Sequence, residues 1–288
     1  MIRSLAVLTV LALGLTAAQA QQVAPAAPAA APPAVPAPAP AALVTGGGRR
    51  IGRAIVEDLA AHGYRVALHC HRSTDEAEAL AAALRAEGAD VHVVAADLCD
   101  LAGLPDLVAR AADAVGPLGV LVNNAALFGD DGFATVTPEA FQAHMTLNAA
   151  APVFLAQAFA GQLGADATGL IVNLTDQRVR KPVPGHFSYG ASKATLDAMT
   201  ITMAQALAPR IRVNAIAPGP TLQGDRQTRD DFERQAAAVL LRRGPALAEF
   251  GATVRFLAAT PSITGQTILL DGGQHLAWET PDVLGIPE

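Results

Sequence analysis

Seven short apolar runs, each separated from the next by a longer stretch that is mostly alanine-rich, constrain this 288-residue chain more than any other feature. The runs cover residues 41–44, 65–69, 91–95, 120–123, 170–174, 212–217 and 267–270. Helices are predicted between them over 52–62, 74–87, 101–115, 138–162, 189–208 and 245–259. Most runs are apolar at successive positions rather than at every second one, which means cover on both faces. Strands of that kind alternating with helices form a parallel sheet. The expected fold is α/β, a single doubly wound Rossmann-type parallel sheet with helices on both faces. With no internal repeat after residue 41, one domain is expected over 41–278, with a tail over 279–288.

Composition removes several function classes. With 20 Lys+Arg against 26 Asp+Glu the net charge is -6, which argues against a nucleic-acid partner. Two cysteines, Cys70 and Cys99, cannot build a disulfide framework, and no Cys/His cluster offers a metal site. A small-molecule substrate is expected, with no membrane partner.

Three motifs carry chemistry. The first strand runs into Thr45-Gly46-Gly47-Gly48-Arg49-Arg50-Ile51-Gly52 and then a helix. Glycines there let the backbone turn tightly and approach a pyrophosphate, which the free N–H groups of the helix start attract. After the second strand stands His69-Cys70-His71-Arg72-Ser73. An arginine at that place, with no acid before Asp75, suits the 2′-phosphate of NADP, and Ser73 can assist. Tyr189-Gly190-Ala191-Ser192-Lys193 places a tyrosine and a lysine four apart on one helix face, in a chain with only two tyrosines and two lysines. The expectation is that the ammonium lowers the phenol pKa and makes it a proton donor.

These residues resemble the short-chain dehydrogenases/reductases. The T-G-x-x-x-x-x-G turn, Asp97-Leu98, Asn123-Asn124-Ala125, Asn148, Tyr189/Lys193, Pro218-Gly219 and Asp271-Gly272-Gly273 fall in that family's order across residues 41–275. The resemblance implies that Thr45, Gly46, Arg50, Ile51 and Gly52 meet the cofactor, as do His71, Arg72 and Ser73. It implies that Asp97 and Leu98 flank the adenine and that Asn123, Asn124 and Ala125 lie near the cofactor. Lys193 would bind the nicotinamide ribose beside Tyr189. Thr221 would meet the carboxamide next to Pro218 and Gly219, and Asn148 would hold a proton-relay water. A homotetramer or homodimer is implied, built on the helices at 138–162 and 189–208.

One position departs from the common pattern. Thirteen residues before Tyr189, where most members carry a serine, stands Asp176. A carboxylate repels an incipient alkoxide, whereas it suits a substrate with N–H donors or a relay to a ring nitrogen. Pteridine reductases of the family share the Asp/Tyr/Lys arrangement, the basic pair Arg49-Arg50, the His-x-His-Arg-Ser segment and a phenylalanine at Phe128, which stacks on the pterin. In that resemblance Arg50 and Phe128 join Asp176 and Tyr189 at the substrate, while Ala126 replaces a serine that bonds cofactor and pterin. The charged segment 222–243 corresponds to the family's mobile loop and helix over the substrate. The expected activity is NADPH-dependent reduction of a C=N bond in a pterin or dihydrofolate-like ring. The alternatives are a carbonyl reductase using Thr175 in place of the serine, and a non-catalytic NADP-binding protein.

The first forty residues stand apart. Arg3, an apolar run over 5–15 and Ala18-Gln19-Ala20 have the form of a secretory signal over 1–20, and the run is shorter than the roughly 20 residues a membrane span needs. Nine alanines and seven prolines over 21–40 suggest an unstructured linker. Against export, the twin-arginine signal is missing and a nicotinamide pool lies inside the cell. A cytoplasmic enzyme whose start is assigned too far upstream is the competing expectation.

Overall fold

The computed structural model describes residues 40–280, Asp225 apart, so the signal-like segment, most of the linker and most of the tail lie outside the described residues. Among the described residues seven strands are present: β1 (Ala41–Val44), β2 (Arg65–Cys70), β3 (Val91–Ala95), β4 (Val120–Asn123), β5 (Gly169–Leu174), β6 (Ile211–Pro218) and β7 (Thr267–Leu270). Around them lie α1 (Arg50–Ala61), α2 (Thr74–Ala86), α3 (Leu104–Val115), α4 (Pro138–Met145), α5 (Ala151–Gln162), α6 (Phe187–Leu207), α7 (Arg229–Ala237) and α8 (Leu247–Ala259). All seven strands pair in parallel in the order β3-β2-β1-β4-β5-β6-β7. The predicted doubly wound sheet is therefore the observed one.

Successive residues of β1 face different cores, which is why the run is apolar throughout. Ala42 and Val44 pack with Ile55 and Leu59 of α1 and Phe250 and Val254 of α8. Ala41 and Leu43 pack with Leu107 and Ala111 of α3 and Leu155 and Phe159 of α5. Leu43 pairs with Ala67 on one side and Leu121 on the other, so β1 and β4 are neighbours from which the chain departs in opposite directions. A crevice opens beyond the carboxyl ends of such a strand pair. Among the described residues, no helix is long and apolar enough to cross a membrane.

Two predicted helices are divided, each at a proline. The 138–162 helix is α4, a π-helical turn over Thr146–Ala150, then α5. Pro152 has no N–H for the carbonyl of Asn148 and its ring crowds that turn, so the widened turn falls directly before it. The 101–115 helix begins as a 3₁₀ turn, Leu101–Gly103, and α3 then carries Pro105 in its first turn, where a missing N–H costs nothing.

Candidate active site

The glycine turn sits at the switch point of the sheet. Gly46 has φ +62, and a Cβ on Gly52 would lie 2.2 Å from the Gly46 carbonyl oxygen, so α1 approaches the turn as only glycine allows. The Thr45 hydroxyl accepts from the N–H groups of Asn124 (2.9 Å) and Ala125 (3.0 Å), tying the end of β4 to that of β1. The Asn124 amide donates to the carbonyls of Thr45 (2.8 Å) and Gly46 (3.1 Å). Arg50, at φ +54, opens α1 and extends to the carbonyls of Gln223 (3.1 Å) and Leu222 (3.4 Å), linking the turn to the 222–243 segment.

A cleft of about 570 Å³ lies beside this turn, with Arg50, Phe128, Asp176, Tyr189, Lys193 and Thr221 among its lining residues. Ile51, Asn124, Pro218 and Gly219 also line it. Tyr189 and Lys193 stand in the first turns of α6, both buried. The Tyr189 hydroxyl donates to Asp176 Oδ2 at 2.9 Å, and Lys193 Nζ donates to the Leu174 carbonyl at 2.6 Å. Burial, then the charge of Asp176 and its hydrogen bond, push the phenol well above its usual range, and Arg178 pulls the other way. Lys193, expected to lower the phenol, instead has its own ammonium pushed down to about 8 by burial, with Asp176 resisting. The carboxylate touches the hydroxyl and the ammonium does not, so the nearer group decides.

The two candidates at 175 and 176 both line the cleft but turn to different partners. The Thr175 hydroxyl donates to the Ile216 carbonyl at 3.3 Å and is buried, while Asp176 reaches Tyr189. Asp176 is held in turn by Arg178, whose backbone N–H donates to Oδ1 at 2.8 Å and whose Nη1 lies 3.2 Å from each oxygen. Arg178 was not among the residues expected at the site. Its only sequence signal is an arginine two positions beyond an aspartate at a strand end.

Phe128 presents a ring at the mouth of the cleft, 47% exposed. His186 stacks on it with centroids 4.6 Å apart, and Tyr189 meets it at 4.7 Å and nearly perpendicular. Arg226, from the 222–243 segment, lies 5.4 Å from the ring centroid. The loop behind Phe128 is fastened to the start of α6: Asp131 accepts from the Ser188 N–H at 3.0 Å and from the Ser188 hydroxyl, and His186 Nδ1 is 2.8 Å from the Gly129 carbonyl.

Other expected residues occupy supporting places. Asn148, in the π-helical turn, donates to the Leu127 carbonyl (2.9 Å) and Ser192 Oγ (3.0 Å) and accepts from the Leu127 N–H (2.8 Å). Its side chain straps the Phe128 loop to α6. Asn123 turns inward and donates to Asn173 at 2.9 Å, outside the cleft lining. His71, Arg72 and Asp97 are exposed together beyond β2 and β3, His71 lying 3.8 Å from Asp97, while Leu98 is buried in the core. Arg72 has no ion-pair partner among the described residues, and Ser73 precedes the first turn of α2. His69 has a role that the sequence did not show. Its Nδ1 accepts from the Gly46 N–H at 3.1 Å and its Nε2 faces the Ala96 carbonyl at 3.1 Å, so a neutral ring braces the glycine turn.

A doubly wound sheet with a glycine turn at its switch point and a buried Tyr–Lys helix beside the crevice defines a dinucleotide-dependent oxidoreductase. The family described as short chain dehydrogenase matches residues 40–233, and the chain belongs to this short-chain dehydrogenase/reductase family. Among solved structures it is similar to the FolM alternative dihydrofolate reductase 1 of Brucella suis in complex with NADP. Identity there is 53% and the TM-score 0.82, over 84% of this chain and 97% of that one. A blue fluorescent protein from a metagenomic library, in complex with NADPH, is 32% identical with a TM-score of 0.74, over 81% and 97% of the two chains. The 3-oxoacyl-(acyl-carrier-protein) reductase of Synechocystis is 33% identical over 236 residues, 81% of this chain and 95% of that relative.

Proposed function

We propose that this enzyme is an NADPH-dependent reductase of a C=N bond in a pterin or dihydrofolate-like ring. The contact between Asp176 and Tyr189 carries the reading, because it puts an acceptor-only group where a ketone reductase needs a hydroxyl donor. Thr175, the other source of a hydroxyl, is turned to the Ile216 carbonyl. The NADP-bound FolM relative, at 53% identity, supports both cofactor and substrate class.

The residues fit the dinucleotide. Gly46 and Gly52 let α1 start tight against the turn, which presents its N–H groups to a pyrophosphate; Arg50 and Ile51 line the cleft there, and Thr45 braces the turn from behind. Arg72, exposed and without an ion-pair partner among the described residues, suits a 2′-phosphate together with His71 and Ser73, while Asp97 and Leu98 border the adenine. Asn124, Tyr189 and Lys193 serve the nicotinamide ribose side, with Asn123 and Ala125 behind that lining, and Pro218, Gly219 and Thr221 the carboxamide. When bound, NADPH supplies hydride to the carbon of the C=N bond. Tyr189, kept protonated by burial and Asp176, holds the proton for the nitrogen. Phe128 offers a flat face that orients the ring, and Ala126 gives it no hydroxyl. A relay water is assigned to Asn148, in the π-helical turn before Pro152.

The enzyme is expected in the cytoplasm, as a homotetramer or homodimer joined through α5 and α6, where Phe154 and Ile201 are exposed. Light scattering reads the assembly, and a native amino terminus at Gln21 contradicts the cytoplasmic assignment. The activity is tested by following NADPH oxidation with dihydrobiopterin, dihydrofolate and simple ketones. Turnover of the dihydropterins is expected. Turnover of ketones alone favours the reading that the 3-oxoacyl reductase relative suggests.

A further inference from the structure

A carboxylate offers about four acceptor positions, two on each oxygen. In Asp176 three donor groups make four contacts, two on each oxygen. Oδ1 receives the Arg178 backbone N–H at 2.8 Å and Arg178 Nη1 at 3.2 Å; Oδ2 receives the same Nη1 at 3.2 Å and the Tyr189 hydroxyl at 2.9 Å. The pair is sheltered, with side chains 20% and 12% exposed for Arg178 and Asp176. The only one of these contacts that the chemistry itself loosens is the one to Tyr189, when the hydroxyl turns to the substrate nitrogen.

We infer that Arg178 is a positioning residue that fixes Asp176 as a one-oxygen partner of Tyr189 and keeps it from gripping the donor edge of the substrate ring with both oxygens. This rests on the reading that Asp176 takes part in reduction. It also alters the electrostatics of that reading. With a guanidinium against its outer side, Asp176 confronts developing negative charge as half of a neutral pair rather than as a bare anion. Among the described residues the arginine's hydrogen bonds go to that carboxylate and its buried Nε has no partner. Its guanidinium also borders the cleft 5.9 Å from the Phe128 ring centroid, so the Asp176→Asn background is what separates action through the aspartate from action on the ring platform.

The test is a double-mutant cycle on the full chain with NADPH: wild type, Arg178→Ala, Asp176→Asn and the double variant, each assayed with dihydrobiopterin and with a short 3-oxo ester. Removing Arg178 is expected to lower kcat/KM about thirtyfold in the wild-type background and less than about threefold in the Asp176→Asn background, the size of coupling that contacting charged groups show. Arg178→Lys is expected to restore only part of the loss, because an ammonium cannot bridge both oxygens from the same place. The dissociation constant for NADPH should stay within about twofold throughout, which a general loss of folding would not permit. Equal losses in the two backgrounds, or no loss at all, overturn the positioning role. If dihydrobiopterin is inert and the oxo ester is reduced, the pterin reading fails while the cycle on the ester still judges Arg178. A wild-type enzyme inert toward both overturns the two together.

Discussion

The Tyr189 hydroxyl donates to Asp176 Oδ2 at 2.9 Å, while Lys193, one turn further along α6, gives its ammonium to the Leu174 carbonyl. The proton that the reaction needs is thus held by a neighbour that opposes its loss until a better acceptor arrives. Replacing Tyr189 by Phe removes the donor and little else, since the ring stays against Phe128. A fall in kcat of about 10²- to 10⁴-fold is expected, with the NADPH dissociation constant nearly unchanged. Stopped-flow turnover and fluorescence titration of the same variant check both halves.

Lys193 is 2% exposed, and burial brings its ammonium down to about 8. The charged form, which the ribose contact requires, is present below that value and lost above it. In the free enzyme kcat/KM should therefore fall as pH rises through about 8, and kcat/KM profiles report free-enzyme groups. Lys193→Arg, whose charge does not titrate in this range, should flatten that limb while lowering the plateau.

His69 carries a second pH dependence, this one in stability. Burial pushes the folded imidazole from 6.5 down to about 4, against the Ala96 carbonyl that favours its charged form. Between those values the unfolded chain binds the extra proton, so stability is complete above about 6.5 and declines as pH falls towards 4. About 3 kcal/mol is expected to be lost over that window. Urea unfolding at pH 7 and pH 4.5 measures it, and His69→Gln should reduce the difference while weakening the brace on Gly46.

Asp131 caps the start of α6 from a loop 57 residues earlier in the chain, through the N–H and hydroxyl of Ser188. Asp131→Ala should cost about 1 kcal/mol of unfolding free energy, the usual worth of an N-terminal cap. Because the same loop carries Phe128, the KM for a ring substrate should rise more than kcat falls. Asp131→Asn, which retains one acceptor, should lie between. A loss of stability with both kinetic constants unchanged would separate the cap from the ring platform.

The sheet was legible because most of its runs are apolar at successive positions, with the edge strands β3 and β7 the least buried; all seven runs match observed strands to within a residue at either end. The Tyr189/Lys193 pair was legible because it lies within one helical turn. Arg178 and Asp131 were not, because their roles depend on how a side chain folds back at a strand end or reaches across 57 residues. The choice between Thr175 and Asp176 was open in the sequence and closed by the direction in which the chain leaves β5. Beyond the end of β5 the Thr175 hydroxyl turns to the Ile216 carbonyl of β6, while Asp176 turns to Tyr189 of α6. Pro152 marked the break between α4 and α5, but a helical pattern on both sides masked it.

In the proposed reaction Asp176, and not Thr175, works with Tyr189 on a dihydropterin ring. The most direct measurement is kcat/KM for dihydrobiopterin with NADPH in Asp176→Ala beside Thr175→Ala. A loss of about 10²-fold or more is expected for the aspartate variant and a change within about threefold for the threonine variant. A large loss from Thr175→Ala with near-normal turnover in Asp176→Ala would contradict that assignment.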